Sequence, residues 1–173
     1  LDSWVGLTMA DGHITGISLS ARGLSGTLGG MKPMSYLQVF DLSENDISGE
    51  IPDLTELTLL QEIRLNDNLL TGYVPDLSPL AELRVLNLGN NQLSGDIPFQ
   101  KLPNSLEVLD LKRNQLTGKL SDIVTLTQLT VLNLSGNHLS GEIPDLSPLT
   151  ALNQLLLGKN SLSGSVPDLS ILS

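Results

Sequence analysis

The sequence of 173 residues contains no cysteine and few aromatic residues: one tryptophan, two tyrosines and two phenylalanines. Without thiols, disulfides and thiolate metal sites are excluded, and the redox compartment stays undetermined. No apolar run approaches the ~20 residues of a membrane-spanning helix, so we expect no membrane insertion of this segment.

Basic residues are also scarce. Nine lysines and arginines stand against 19 aspartates and glutamates, which gives a formal charge of −10 and a pI near 4.3. Nucleic acids and anionic membrane surfaces are recognised by clustered positive charge, so neither is an expected partner. The composition favours a partner with a basic or neutral surface.

What the sequence does have is an internal repeat. Asparagine recurs every 23 residues, at Asn45, Asn68, Asn91, Asn114, Asn137 and Asn160. Arg22 holds the same place in a first, degenerate copy. Such a period is typical of a solenoid, in which each unit buries its apolar face against its neighbours. We therefore predict an N-terminal cap at 1–13 and seven repeats over 14–173, starting near 14, 37, 60, 83, 106, 129 and 152.

Each repeat predicts one short strand. Position six of the repeat is leucine in all seven copies, and positions one, four, eleven and fifteen are almost always Leu, Ile, Val or Phe. Positions three to seven alternate as in a strand with one buried face, so the strands should stack into a parallel sheet. Asparagine at position nine should turn inward and bond unpaired backbone groups. Glycine at position thirteen predicts a positive φ or a close backbone approach.

The segment from Leu129 to Pro144 follows the pattern L-x-x-L-x-L-x-x-N-x-[LI]-[ST]-G-x-[IVL]-P. In this pattern the chain resembles the plant-type subclass of the leucine-rich repeat family, in the company of receptor ectodomains and polygalacturonase-inhibitor-like proteins. The resemblance implies a strand-dominated repeat solenoid of the α/β type. It further implies a right-handed curved superhelix, with the parallel sheet on the concave face and short helical turns or loops on the convex face. A second short strand is implied at positions eleven to fifteen.

The two ends of the chain differ from the family pattern. Trp4 resembles the tryptophan of a plant-type cap and is expected to cover the first repeat, whereas Met9 stands where that cap carries cysteine. The seventh repeat reaches Ser173 without a recognisable polar cap. We expect either a fragment of a longer protein or an end that associates with another molecule, including a second copy of the chain.

Catalysis is not predicted. The two histidines, His13 and His138, are separated by five repeats along a rod and cannot share a site. Neither the phosphate-binding pattern G-x-x-x-x-G-K-[ST] nor the nucleophile pattern G-x-S-x-G occurs. The sequence predicts neither an enzyme nor a cofactor or metal site.

Two stripes in the repeat have alternative interpretations. Position twelve is Ser or Thr in every repeat. These residues form either a ladder of hydroxyls at about 4.8 Å spacing that could bind ice, or a set of hydroxyls that bond the local backbone of each turn. Position seventeen is aspartate in five repeats: Asp53, Asp76, Asp122, Asp145 and Asp168. These carboxylates could bind calcium or cap turns on the convex side. In both stripes the structural interpretation is favoured.

Candidate binding residues lie on the outward face of the sheet, at positions two, three, five, seven and eight. Charges of both signs on a stiff curved surface suit recognition of a protein or peptide. The candidates are Asp41, Glu44, Glu62, Arg64, Asp67, Arg84, Asn87, Glu107, Asp110, Lys112 and Arg113. The sequon Asn133-Leu-Ser135 lies on this face, and a glycan there would direct binding to repeats two to five.

The loop of the fourth repeat departs from the pattern. Gln100 and Pro103 occupy positions that are aliphatic in the other repeats. We expect Leu102 to rotate inward in compensation. Phe99 is either an exposed contact or, as favoured here, a filler of the local core.

The favoured function is non-catalytic recognition of a protein or peptide by the concave face, as part of a surface or receptor-like protein. The family resemblance implies an extracellular or cell-surface location. An alternative is a structural or adhesive surface protein that associates with itself or binds glycans, and ice binding is the third hypothesis.

Overall fold

The computed structural model describes residues 5–29 and 34–170. In these ranges the strands are β1 Leu7–Ala10, β2 His13–Ser18, β3 Ser25–Thr27, β4 Val39–Asp41, β5 Asp46–Glu50, β6 Glu62–Arg64, β7 Leu69–Thr71, β8 Val85–Asn87, β9 Ser94–Asp96, β10 Val108–Asp110, β11 Gln115–Thr117, β12 Val131–Asn133, β13 Ser140–Glu142, β14 Gln154–Leu156 and β15 Ser161–Ser163. Short 3₁₀ helices span Phe99–Lys101 and Ser121–Thr125.

The main sheet contains one strand from each repeat. Strands β2, β4, β6, β8, β10, β12 and β14 pair in parallel in that order, and β1 pairs antiparallel with β2. Residues one repeat apart lie in register, as in the pairing of Leu86 with Leu109 and of Leu109 with Leu132. The predicted strand-dominated solenoid with a parallel sheet is confirmed. The domain boundaries stay a prediction.

Leucine columns form the core. Leu65, Leu111 and Leu134, all at position six, are fully buried, as are Leu60 and Leu83 at position one. Burying each leucine contributes about 1.5–3 kcal/mol. Because every layer packs on the next, the core is a continuous rod of mainly aliphatic side chains, in which Phe40 and Phe99 are the aromatic members.

The asparagine ladder is confirmed in detail. Asn91 Nδ2 donates to the carbonyl oxygens of Leu65, Leu88 and Gly89 at 2.9, 3.1 and 3.3 Å, and its Oδ1 accepts from the Leu70 amide at 2.9 Å. The same set of bonds recurs one repeat further at Asn114. Each amide thus satisfies backbone groups of its own turn and of the preceding repeat.

The second short strand is also confirmed. Strands β3, β5 and β7 form one flanking sheet, β9 pairs with β11, and β13 pairs with β15. Glycine at position thirteen has both properties that the sequence predicted. Gly95 has φ +79°, and a Cβ there would lie 2.5 Å from Tyr73 Cδ1.

The loop of the fourth repeat fills its own core. Phe99 and Leu102 are each only 3% exposed, which confirms that Leu102 turns inward and that Phe99 is a core residue. Phe99 begins a 3₁₀ helix. The convex loop of the fifth repeat also contains a 3₁₀ helix, Ser121–Thr125.

The first and last repeats are less buried than the inner ones. Trp4 lies outside the described residues, so its predicted capping role stays a prediction, and Met9 on β1 is 60% exposed. Leu157, the position-six leucine of the seventh repeat, is only half-buried. Self-association through this end stays a prediction. No helix within the described ranges is long and apolar enough to span a membrane.

Candidate functional site

The concave face carries the side chains that alternate with the leucine core. In β10, Leu109 is fully buried while Val108 and Asp110 on either side are half-buried and point away from the core. All eleven candidate residues lie on this face or along its edge at position eight. The structure therefore brings them into one surface rather than into a cleft.

Position five has a structural role that the sequence analysis missed. Asp41 Oδ1 accepts from both the amide and the hydroxyl of Ser43, at 3.0 and 2.7 Å. Asn87, Asp110 and Asn133 likewise accept from the amide two residues on. These side chains cap the turn that follows each strand. The signal was available, because aspartate or asparagine holds position five in four of seven repeats.

Position eight was not recognised either. Its residue has a positive φ in every repeat, between 50° and 70°, at Ala21, Glu44, Asp67, Asn90, Arg113, Gly136 and Lys159. The left-handed backbone is held by a ladder of bonds between repeats, such as Glu44 N to Asn66 O at 2.9 Å and Arg113 N to Ser135 O at 2.8 Å. The turn therefore presents the position-eight side chains along one edge of the concave face.

Most basic side chains of the concave face are already paired. Arg64 contacts Glu62, Arg84 lies 3.3 Å from Glu107, and Lys112 lies 3.6 Å from Asp110. A fourth ion pair, between Lys101 and Asp76 at 3.8 Å, lies on the convex side. Pairs exposed to this degree contribute little to stability, but they cancel much of the local charge.

Four candidate charges have no ion-pair partner among the described residues: the half-buried Asp41, which is bonded to Ser43, and the three side chains of Glu44, Asp67 and Arg113. Asp67 accepts hydrogen bonds from the side-chain amides of Asn66 and Asn90, at 2.7 and 2.8 Å. A Cβ added at Gly136 would lie 3.3 Å from Arg113 Cγ. The glycine therefore leaves room for the aliphatic part of the Arg113 side chain. Glu44, Asp67 and Arg113 are all exposed. The uncompensated charge is negative in repeats two and three and positive in repeat five.

Asn133 lies on the concave face, as expected, but it is only 8% exposed. Its Oδ1 accepts from the Ser135 hydroxyl at 2.7 Å, and its Nδ2 is 3.4 Å from Asp110 Oδ2. The atom that a glycan would modify therefore points at a neighbouring carboxylate in the folded chain. Glycosylation at Asn133 stays a prediction.

Comparisons with known proteins identify the family. The family model described as Leucine Rich Repeat matches residues 36–56 and 128–148, and the one described as Leucine Rich repeats (2 copies) matches 81–126. The solved structure of Pollen Receptor Kinase 3 is 30% identical, covers 94% of this chain and 82% of that chain, and superposes with a TM-score of 0.78. The chain belongs to the leucine-rich repeat family.

Other leucine-rich repeat structures that resemble this chain are receptor ectodomains. The Arabidopsis receptor kinase HAESA, in complex with an IDA peptide hormone, is 30% identical over 98% of this chain and 30% of that chain, with a TM-score of 0.85. The plant peptide hormone receptor RGFR1, in complex with RGF2, is 34% identical over 86% of this chain and 25% of that chain, with a TM-score of 0.78. The chain thus spans only 30% of the length of the HAESA structure and 25% of that of RGFR1. No curated protein sequence matched.

In this leucine-rich repeat chain, three hydroxyls of the position-twelve stripe, those of Ser48, Ser94 and Thr117, donate to the preceding repeat. Ser48 Oγ donates to Gly26 O at 3.2 Å, and Thr117 Oγ1 donates to Asp96 Oδ1 at 2.6 Å. The turn interpretation expected local backbone partners, and the observed partners instead belong to the preceding repeat. Hydroxyls engaged in this way are less available to order a lattice of water.

The stripe at position seventeen caps convex turns. Oδ1 of Asp53, Asp145 and Asp168 accepts from the amide two residues on, at 2.9 Å in each case. These backbone bonds, followed by side-chain bonds from Thr55, Ser147 and Ser170, hold the pKa values of the three carboxyls below their ordinary value. The Ser78 hydroxyl and then its amide lower the pKa of Asp76 in the same way.

The two histidines lie far apart along the described solenoid. His13 stacks on Tyr36 with ring centroids 3.8 Å apart, while His138 is exposed six repeats along. A shallow depression of about 220 Å³ beside the Arg84 and Glu107 pair is open to solvent. Such an arrangement can offer hydrogen bonds and charges to a partner that lies along the sheet.

Proposed function

We propose that this leucine-rich repeat segment is a non-catalytic module that recognises a peptide or a protein segment along its concave face. The observation that carries the proposal is the row of exposed position-eight side chains, including Glu44, Asp67 and Arg113, on backbone fixed by bonds between repeats. Because the backbone beneath these side chains is already fixed, binding a ligand has to order only the side chains. The structural neighbours support this reading because two of them are receptors in complex with peptide hormones.

The partner that fits best carries positive charge opposite repeats two and three. Glu44 and Asp67 supply negative charge there without an internal cation, whereas Glu62, Glu107 and Asp110 are already paired. Arg113 lies two repeats, or 46 residues, beyond Asp67 in this chain. It would contact an acidic or polar group of the partner. This charge order along the solenoid gives a bound segment one preferred direction.

We also propose that the segment acts at the cell surface. Two structural neighbours are named as ectodomains, of the receptor kinase HAESA and of the plant membrane receptor kinase GASSHO1. An exposed acidic sheet that lacks cysteine tolerates an oxidising environment without forming wrong disulfides. Secretion of the natural full-length protein, followed by surface labelling, tests this location.

The concave-face proposal is tested with a random-peptide display library selected on the 173-residue chain. Selected peptides are then measured by calorimetry against the double variant Glu44→Gly and Arg113→Gly. Because φ is positive at both positions, glycine removes the side chain without straining the backbone. We expect a loss of at least tenfold in affinity, which is about 1.4 kcal/mol.

Lys159→Gly is the matched control. Lys159 has the same left-handed backbone, with φ 57°, but lies in the seventh repeat outside the proposed surface. This variant should bind the selected peptides as the parent chain does. Selected peptides that bind the double variant with unchanged affinity would place the site elsewhere and contradict the proposal.

A further inference from the structure

A second exposed surface lies on the flank, away from the concave face. There the side chain at position fourteen of each repeat lies across glycine thirteen of the next repeat. In repeats two to four these are Glu50 over Gly72, Tyr73 over Gly95 and Asp96 over Gly118, where a Cβ on the glycine would lie 2.9, 2.5 and 3.2 Å from the nearest side-chain atom. These side chains therefore form a row held at fixed spacing.

Tyr73 is the aromatic member of this row. The Cδ1 and Cε1 edge of its ring lies where a side chain of residue 95 would stand, at 2.5 and 2.6 Å from the Cβ position. Even so, 69% of Tyr73 is exposed. Leu69, the first residue of β7, is 45% exposed, although Leu70 beside it is fully buried. The third repeat thus presents two large apolar side chains to solvent.

Carboxylates stand on both sides of the tyrosine. Glu50 precedes it and Asp96 follows it by one repeat each, and Asp46 lies two residues before Ser48, the residue that pairs with Leu69 in the flanking sheet. None of the three is in an ion pair with another described residue. The Thr117 hydroxyl donates to Asp96 Oδ1 at 2.6 Å and so orients that carboxylate. The row changes sign only at Lys119, which limits the acidic stretch to repeats two to four.

We propose that this flank patch, comprising Asp46, Glu50, Leu69, Tyr73 and Asp96, binds an arginine- or lysine-bearing segment of a second protein. A cation over an aromatic ring is attracted by its quadrupole, and carboxylates one repeat away on each side add Coulomb attraction. The apolar stem of the basic side chain covers Leu69. Arginine fits better than lysine because its planar guanidinium can stack on the tyrosine ring and at the same time donate hydrogen bonds to a carboxylate. The patch is independent of the concave face, and both can be occupied at once.

The test uses the two tyrosines as reporters. The chain is labelled with 3-fluorotyrosine, and the Tyr73 resonance is assigned with the Tyr73→Phe variant. The labelled chain is titrated with the blocked peptide acetyl-Gly-Arg-Gly-Arg-Gly-amide, and separately with the peptides in which lysine or glutamate replaces arginine. We expect the Tyr73 resonance to shift and saturate with the arginine peptide, more weakly with the lysine peptide, and not with the glutamate peptide. Tyr36, which lies at the end of the first repeat and stacks on His13, should respond little.

Variants locate the binding. Glu50→Gln with Asp96→Asn should weaken the arginine peptide at least fivefold by the Tyr73 titration. Tyr73→Leu, followed through the Gly95 amide, should weaken it about two- to fivefold, as expected of an exposed cation–π contact. Glu142→Gln removes a carboxylate at the same repeat position in the sixth repeat and should change nothing. Equal, unsaturated shifts of both tyrosines, or no effect of the double variant, would show only diffuse attraction to an acidic chain and overturn the proposal.

Discussion

The asparagine at position nine bonds several backbone groups with one side chain. Asn91 is only 9% exposed, and its amide serves four backbone groups in two repeats. No other side chain of its size offers two donors and one acceptor in that geometry. All the buried side-chain polar atoms that the structure describes have a partner.

Asn91→Ala should therefore lower the free energy of unfolding by about 3 kcal/mol, because several buried backbone groups lose partners at once. Chemical denaturation measures this. The control is Gln92→Ala, next in sequence but exposed, which should change stability by less than about 0.5 kcal/mol. Equal effects of the two substitutions would mean that the ladder is not what holds the turns.

At position eight we expect that removing the side chain does not lower the stability. Arg113 sits at φ 50°, which costs an L-residue roughly 1–2 kcal/mol relative to its preferred regions. Arg113→Gly should keep the stability unchanged or raise it by up to about 1 kcal/mol. Gln115→Gly in β11, which lacks a positive φ, should instead lower it by about 0.5–1 kcal/mol. A marked loss in Arg113→Gly would show that its side chain, packed over Gly136, contributes to the fold.

At the scale of the elements, we expect the convex turns to be pH-sensitive. The native pKa values of Asp53, Asp145 and Asp168 are lowered, chiefly by backbone amides. A lowered folded-state pKa means that the contribution to stability is present above the unfolded value near ~4 and is lost as the pH falls through the folded values. The turns should therefore weaken in acid.

Asparagine keeps the accepting oxygen and removes the titration. The triple variant Asp53→Asn, Asp145→Asn and Asp168→Asn should lose less stability than the parent chain between pH 5 and pH 2.5, roughly the window in which carboxyls protonate. Denaturation series at each pH provide the measurement. Replacing Glu56, Glu82 and Glu142 with glutamine removes the same number of charges without removing a turn bond. If both triple variants gain equally, net charge and not the turns governs the acid response.

Most of the strands and the core could be predicted from the sequence because the 23-residue period repeats every contact. Position six, the asparagine ladder and the glycine at Gly95 all follow from residue types that have few other uses. The turn at position eight could not be predicted, because Glu44 and Arg113 have no preference for a left-handed backbone and are held there by neighbouring repeats. The ion pairs, too, depend on which side chains become neighbours after stacking.

At the scale of the whole molecule, the stacked repeats together form two long surfaces. The concave face combines paired charges with the free charges of Glu44, Asp67 and Arg113, and the flank carries Tyr73 among carboxylates. Each surface is built from equivalent positions of successive repeats, so a partner would contact several repeats in order. The inner repeats supply the rigidity that such extended contact requires.

Mapping a peptide selected from the display library onto the isotope-labelled chain by NMR tests the concave-face account most directly. The account predicts amide shifts concentrated at positions five to eight of repeats two to five, in segments 41–44, 64–67, 87–90 and 110–113. These shifts should disappear in the Glu44→Gly and Arg113→Gly variant. Shifts confined to the convex segments 53–59 and 76–82, with the concave amides unchanged, would contradict it.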